Sequence, residues 1–184
     1  MEVLYEDNHI IIVNKAPGEI VQGDKTGDEP LVETLKAWIK EKYAKPGNVF
    51  CGVVHRLDRP VGGVVVFAKT SKALARLNEM FRTGKVHKSY LAISRNRPPK
   101  DADRLTGYIH SVERNNKSYI SATPVKGAKE AALSYRYLGA SDRYHLLEVN
   151  LETGRKHQIR VQLSSVGCPI KGDLKYGDKR SNPD

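Results

Sequence analysis

The alternation of apolar and polar residues predicts a chain built mainly from short β-strands. Residues 3–5 and 10–13 flank the polar turn EDNH and are typical of a β-hairpin. Further strands are predicted where apolar or alternating runs recur, at 63–68, 89–94, 105–110, 118–123, 132–138 and 144–151. Polar turns and turns that contain Gly or Pro separate the runs between 86 and 151, which predicts an antiparallel meander and disfavours alternating strands and helices.

Three segments carry apolar residues at helical spacing. The first is predicted to start at 28–30, where Asp28 is able to cap a helix and Pro30 suits its first turn. The second is predicted to start at Thr70 or Ser71 and to end at Gly84, and the third covers 157–167. The pattern therefore predicts an α+β fold, a mainly antiparallel sheet with a few helices, as one domain over 1–184.

The charge distribution points to a polyanionic partner. The chain has 31 Lys and Arg against 21 Asp and Glu, a formal net charge of +10. Residues 1–33 hold eight acids and two bases, so that the remaining 151 residues hold 29 bases and 13 acids. A basic body of this kind favours nucleic acid as a partner, and a basic solvated surface is the alternative.

Other classes of protein are disfavoured by what the sequence lacks. No run reaches the roughly 18 apolar residues of a membrane span, and the N-terminus has no signal-peptide pattern, so we expect a cytoplasmic protein. The two cysteines, Cys51 and Cys168, form no CxxC pair and are expected to be small buried residues. The six histidines show no metal-ligand spacing, so no metal is expected.

The segment VHRLDRPVGG (54–63) places one carboxylate, Asp58, between Arg56 and Arg59. A neighbouring guanidinium lowers the pKa of a carboxyl group, and an ionised Asp in a cleft is a competent nucleophile. Gly62 and Gly63 allow close backbone approach to a ligand or to a neighbouring strand. The alternative is a surface Arg–Asp ion pair, which contributes only about 0–1 kcal/mol to stability.

The segment LETGRKHQIRVQL (151–163) places three cations, Arg155, Lys156 and His157, at the start of a predicted helix. The helix dipole disfavours positive charge there, which indicates a bound anion, either a phosphate or a carboxylate such as Asp58. A frayed, solvated turn is the alternative.

Two further segments are candidates for contact with a nucleic acid. In KVHKSYLAIS (85–94), Lys88 and Tyr90 share a face, and Tyr90 could stack on a base or move a proton, although a strand Tyr is more often part of the core. The basic segment 169–180 could follow a phosphate backbone or form a mobile loop.

The motifs HRLD…GGVVVFAK, KSYLA, LETGRKHQIRVQL and GCPIKGDLKYG, in this order, resemble those of the RluA family of pseudouridine synthases. The resemblance starts at VLYEDNHIIIVNKAPG and runs almost to the C-terminus. It implies the pseudouridine synthase fold, a mixed and mostly antiparallel sheet with helices and a central cleft. It also implies a monomeric enzyme, without metal or cofactor, that isomerises uridines of ribosomal or transfer RNA. The alternative is an RNA-binding module of the same fold that has lost catalysis.

The resemblance also implies the site residues. Asp58 would be the catalytic aspartate, Tyr90 the active-site tyrosine, and Arg155 the arginine that pairs with Asp58. The remaining matches are predicted to bind RNA, and they are His55, Arg56, Lys88, Gln158, Arg160 and Lys175.

This sequence departs from the family pattern at three places. Val61 and Gly62 stand where Thr and Ser are common, and Gln162 stands where a His is frequent. The chain stops soon after GDLKYG, so we expect a truncated C-terminal end. No S4-like domain precedes the motifs, so RNA selection is expected to come from the catalytic domain itself.

Overall fold

The computed structural model describes residues 1–182 and divides the chain into two compact units, Met1–Lys85 and Val86–Asp184. Each unit is built on its own antiparallel sheet, and together they contain three α-helices among the described residues. The predicted α+β class is confirmed. The expectation of one catalytic domain over 1–184 stays a prediction.

The first unit is a four-stranded sheet with two helices. The elements are β1 (Glu2–Glu6), β2 (Ile10–Lys15), α1 (Leu31–Lys42), β3 (Gly52–Val53), β4 (Gly63–Ala68) and α2 (Ser71–Arg82). The strands run in the order β1-β2-β4-β3. The predicted hairpin is confirmed by the antiparallel pairing of β1 and β2, and β4 has the bounds that the sequence predicts.

The core of the first unit lies between the inner face of this sheet and α1. Alternate residues of β2 and β4 are fully buried there against Leu35 of the helix, as period-two strands with one covered face require. The buried strand residues are Ile11, Val13, Val65 and Phe67. Lys15 continues the same inward register at the end of β2 and is also buried.

The two helices of this unit begin differently. For α2 the prediction is confirmed, because the Thr70 hydroxyl accepts the Ala73 N–H at 3.1 Å. For α1 the predicted Asp28 cap is wrong: the N-cap position is Pro30, which makes no side-chain cap. The Leu31 N–H donates to the Ile20 carbonyl at 2.8 Å, so a backbone oxygen replaces the cap, and Asp28 pairs with Arg59 instead.

The second unit is a five-stranded sheet with α3 (Gln158–Ser165) packed on it. The strands are β5 (Lys88–Ser94), β6 (Ala102–Val112), β7 (Lys117–Ser121), β8 (Lys129–Ala140) and β9 (His145–Leu151). Their order in the sheet is β5-β9-β8-β6-β7. The predicted meander is wrong, since β5 pairs with β9 and not with β6. A strand has only two edges, and those of β6 pair with β7 and β8.

Helix α3 joins two apolar clusters of the second unit. Leu163 packs with Leu133, Leu147 and Val149 of the sheet, and Val161 packs in a separate cluster that includes the 174–177 segment. The helix lies within the predicted segment 157–167, and Gly167 follows it with a left-handed φ of 78°. This packing holds the first turn of α3, where the predicted site residues lie, against the sheet.

Candidate active site

The loop that carries Asp58 begins after β3, and His55 bonds the start of this loop to β4. Strand β3 ends at Val53, and the His55 Nε2 atom then accepts the Val66 N–H of β4 at 3.1 Å. The imidazole thereby replaces a backbone carbonyl in the ladder, and its ring stacks on Phe81 of α2 with the centroids 5.0 Å apart. These contacts give His55 a structural role, and its predicted contact with RNA stays a prediction.

The buried ammonium group of Lys15 also holds this loop. Lys15 is only 1% exposed, and its Nζ donates to the carbonyl oxygens of Ala16 at 3.1 Å, Arg59 at 3.1 Å and Val61 at 2.6 Å. Burial lowers the pKa of Lys15, while the carboxylates of Glu19 and Asp58 oppose that shift. Lys15 therefore fixes the backbone around Asp58 and contributes a positive charge close to its carboxylate.

Sequence reasoning did not identify Lys15. The signal that could have found it is the register of β2, where residues 11, 13 and 15 point to the core. A lysine at an inward position must have its charge and donors satisfied by nearby oxygens, because an unpaired buried charge is costly. In this chain two of the three oxygens, those of Arg59 and Val61, belong to the segment VHRLDRPVGG (54–63).

The loop closes in a tight turn beside the NKAPG segment. The Val61 N–H donates to the Asp58 carbonyl at 3.0 Å, and the half-buried Asp58 side chain leaves from the start of this turn. A Cβ on Gly62 would lie 3.1 Å from Pro17 Cδ, so a larger residue would push the loop away from the strand. The close approach predicted for Gly62 is thus confirmed, and its partner is the neighbouring segment of the fold. Arg56 is exposed.

In the second unit, Lys88 and Tyr90 point to the same face of β5, as predicted. Tyr90 packs against the Leu163 cluster, and burial raises the pKa of its phenol. Burial also lowers the pKa of Lys88, and the positive charge of Arg155 adds to that effect. A Cβ on Gly154 would lie 3.7 Å from Lys88 Nζ. The structure therefore brings the KSY strand and the TGR turn together.

A buried amide builds the turn that carries Arg155. Gln158 is 3% exposed, and its Oε1 accepts the Thr153 hydroxyl at 2.8 Å and the Arg155 N–H at 2.9 Å. Its Nε2 donates to the Ala132 carbonyl at 3.0 Å. With both ends of the amide bonded and buried, these contacts favour a positioning role for Gln158 over the predicted direct contact with RNA.

The Arg155 side chain has a partner that the sequence did not indicate. Its Nε donates to the Glu130 carbonyl at 2.8 Å, and the side chain remains partly exposed. His157 precedes α3 in the left-handed conformation, with φ 55°, and does not cap the helix with its side chain. The predicted pairing of Arg155 with Asp58 stays a prediction.

The TGRKHQIR and GDLKYG motifs are bonded to each other. Arg160 donates from Nε and Nη2 to the two oxygens of Asp173, at 2.7 and 3.0 Å. His157 Nδ1 is hydrogen-bonded to the Tyr176 hydroxyl at 2.8 Å. Arg160 thus has a structural ion pair, and its predicted RNA contact stays a prediction. Lys175 donates to the Asn116 carbonyl at 2.9 Å and keeps a partly exposed ammonium.

Within 1–182 no helix combines the length and the apolar character that crossing a membrane requires. Over the same residues, no cluster of three or more His, Cys, Asp or Glu side chains has the arrangement of a metal site.

A sequence model of RNA pseudouridylate synthases matches residues 9–165, which include the HRLD loop, the KSY strand and the turn before α3. The chain belongs to the RNA pseudouridylate synthase family. The predicted family resemblance is thereby confirmed, and the fold agrees. The solved structure of human RNA pseudouridylate synthase domain containing 4 superposes with a TM-score of 0.82 at 28% identity, over 100% of this chain and 73% of that one.

Named relatives in the family act on two kinds of RNA. Ribosomal large subunit pseudouridine synthase D of Xylella fastidiosa is 34% identical over 185 residues, which cover 100% of this chain and 54% of that protein. tRNA pseudouridine synthase C of Vibrio parahaemolyticus is 32% identical over 196 residues, 99% of this chain and 76% of that protein. This chain therefore spans between about half and three-quarters of the length of these relatives.

Proposed function

We propose that this protein converts uridines of ribosomal or transfer RNA to pseudouridine in the cytoplasm. The observation that carries the proposal is the family match over 9–165, which includes the loop that Lys15 and His55 hold around Asp58. The basic body of the chain supports an RNA substrate, because Lys and Arg side chains bind phosphates. The names of the relatives support both RNA classes.

The reaction is an isomerisation whose atoms balance without a cofactor. The N1–C1′ bond breaks, the uracil turns, and C5 bonds to C1′. The proton on C5 leaves and N1 gains a proton, so there is no net oxidation or reduction. Asp58 would act in its ionised form, by attack on C1′ or on the uracil ring or by removal of a ribose proton, and these three routes stay open. The rigid turn at Asp58 supports such a role, since a reacting group must be held in place.

The roles proposed for Tyr90 and Arg155 follow the family motifs. Tyr90, the pKa of whose phenol is raised by burial, would contact the target base. Arg155 would stabilise the negative charge of Asp58. Lys88 and Arg56 would bind phosphates near the flipped nucleotide, which helps to offset an unstacking cost of a few kcal/mol.

Release of tritium from RNA labelled at uridine C5 tests the proposed function. The wild-type protein should release tritium from ribosomal RNA or from total transfer RNA, with EDTA present. Asp58→Ala should lower the rate by about a thousandfold or more, and Asp58→Asn, which keeps the shape of the side chain, should be equally inactive. Circular dichroism should show that both variants are folded.

Three results would contradict parts of this proposal. A wild-type protein that binds RNA but releases no tritium from either RNA class would support the inactive binding module. Release that survives in Asp58→Ala would remove the role of Asp58. Activity lost in EDTA and restored by a divalent ion would show that a metal takes part. Pseudouridine mapping in a strain without the gene would then identify the uridine.

A further inference from the structure

A concave surface lies in the second unit along the outer edge of β7. We call it the edge groove, and it has a volume of about 540 Å³. It is lined by β7, by the last turns of α3 and by the 174–177 segment. Among its lining residues are Lys117, Lys175 and Tyr119, and none of the lining residues that the structure describes is acidic.

We propose that the edge groove binds phosphate groups of the substrate RNA at a distance from the reacting uridine. The proposal rests on the proposed function for the identity of the RNA, but the binding of phosphate by the groove can be tested separately. None of the sequence motifs indicates such a role for Lys117. Phosphate is favoured as the ligand because the groove presents two ammonium groups and its described lining holds no carboxylate.

The positive charges of the groove are not neutralised by nearby acids. Lys117 Nζ lies within cation–π distance of two phenol rings, 5.7 Å from the centroid of Tyr119 and 5.6 Å from that of Tyr176. Lys175 Nζ donates to backbone carbonyls of the β6–β7 turn. Over residues 1–182, neither lysine forms an ion pair, whereas Arg104, like several other arginines of this unit, is paired with a carboxylate.

The wall of the groove is held in place by buried hydrogen bonds. The Tyr176 hydroxyl accepts the Ser118 N–H at 2.7 Å, and the Ser164 hydroxyl donates to the Tyr176 carbonyl. The first bond occupies an N–H on the outer edge of β7, which would otherwise be available to a strand from another chain. Lysines at a sheet edge also disfavour strand addition. Nucleic acid is therefore a better occupant of this edge than a β-strand.

The groove and the predicted site residues Lys88 and Tyr90 lie at opposite edges of the five-stranded sheet. Lys88 and Tyr90 are on β5, at one edge of the sheet, and the groove follows β7 at the other edge. Four interstrand spacings separate these edges, or about 19 Å. A short RNA segment next to the target uridine could span that distance, so the groove would act on affinity and not on the chemical step.

The test compares the double variant Lys117→Ala/Lys175→Ala with the wild type and with a matched control. The control, Lys40→Ala/Lys72→Ala, removes two exposed lysines from the first unit. RNA binding is measured by filter retention of ribosomal RNA and total transfer RNA between about 50 and 200 mM salt. Single-turnover tritium release is measured at saturating RNA.

In the groove variant, the slope of log K against log salt should decrease by about 1.5 to 2, because each lost phosphate contact removes roughly 0.7–0.9 from it. Affinity should fall about tenfold or more at 150 mM salt, by a larger factor than the rate at saturating RNA. Lys117→Arg/Lys175→Arg keeps both charges and should restore the slope, which separates loss of phosphate contact from a change in the loop that Lys175 holds.

Equal effects in the control variant would overturn the proposal, because they would show only the loss of net charge. An unchanged affinity and slope in the groove variant would also overturn it, even if the wild type is active. Conversely, a wild type that binds RNA through the groove but releases no tritium would contradict the proposed function and leave the groove supported. A melting temperature measured for each variant shows that the compared proteins are folded.

Discussion

Lys15 Nζ lies 2.6 Å from the carbonyl oxygen of Val61, and through this bond β2 holds the turn that presents Asp58. The same ammonium also bonds the Arg59 carbonyl, so that one lysine fixes two peptide groups that follow the candidate catalytic aspartate. A charge this deeply buried is tolerated because three carbonyl oxygens replace its water. The loop that carries this candidate residue is thereby tied to the β1–β2 hairpin.

Replacement of Lys15 should damage both stability and activity. Lys15→Met keeps the apolar stem but removes the ammonium donor of the Val61 carbonyl and leaves the Arg59 carbonyl with only the Gly18 N–H. This loss should cost about 1–3 kcal/mol of unfolding free energy in urea titrations. A loop that moves by about 1 Å should lower the single-turnover rate roughly a hundredfold. Lys40→Met, at an exposed site on α1, should change neither quantity. Full activity in Lys15→Met would show that the turn holds Asp58 without the ammonium.

The two roles open to Gln158 predict different kinetics. If Gln158 positions the Arg155 turn, Gln158→Leu should lower the rate at saturating RNA by about 10- to 100-fold while the RNA dissociation constant changes little. A direct contact with RNA would instead raise the dissociation constant and leave the saturated rate intact. Thr153→Val, which removes the hydroxyl that donates to the same amide, is expected to produce the same kinetic pattern in a milder form.

Arg155 and Arg160 should be separable by experiment. Arg155→Ala is expected to reduce turnover more than RNA binding, since the side chain is partly exposed and would act on Asp58. Arg160→Ala should also lower the melting temperature, because it leaves the nearly buried Asp173 carboxylate without its two donors. Equal losses of turnover and binding in Arg155→Ala would count against its pairing with Asp58.

The pH dependence of stability should depend on Asp178. A hydrogen bond from Arg95 lowers the pKa of this fully buried carboxyl group to about 2, from 3.8, and the N–H groups of Gly172 and Lys179 add to the shift. Because the folded pKa is below the unfolded one, the stabilisation is present above about pH 4 and is lost as the pH falls towards 2. The ionised Asp178 carboxylate thereby adds roughly 1–2 kcal/mol to the free energy of unfolding.

Urea titrations of Asp178→Asn at several pH values would measure this contribution. The variant should be less stable than the wild type at pH 7, and the difference should shrink between pH 4 and 2. Asp101→Asn serves as the control, because Asp101 is 74% exposed and its ion pair with Arg97 should contribute little. A constant difference at all pH values would show that Asp178 acts through packing alone.

Several features of this protein could be predicted from local sequence. The bounds of β4, the Thr70 cap and the stop at Gly84 depend on neighbouring residues only, and the structure confirms each of them. The order of the motifs was enough to indicate the family. The start of α1 was predicted less well. Its first N–H groups donate to the carbonyls of Ile20 and Val21, about ten residues earlier in the chain, which local sequence does not indicate.

What the sequence by itself determined was the three helices, every strand except the short β3, and the family, and it indicated which side chains are candidates for catalysis. Only the tertiary structure decided the pairing of β5 with β9, the burial of Gln158 and the use of Lys15 to hold the Asp58 turn. The physical reason is that the sequence around a polar side chain of a motif is the same whether that side chain contacts a ligand or the rest of the protein. Its hydrogen-bond partners, which lie up to 46 residues away for Lys15, decide between the two.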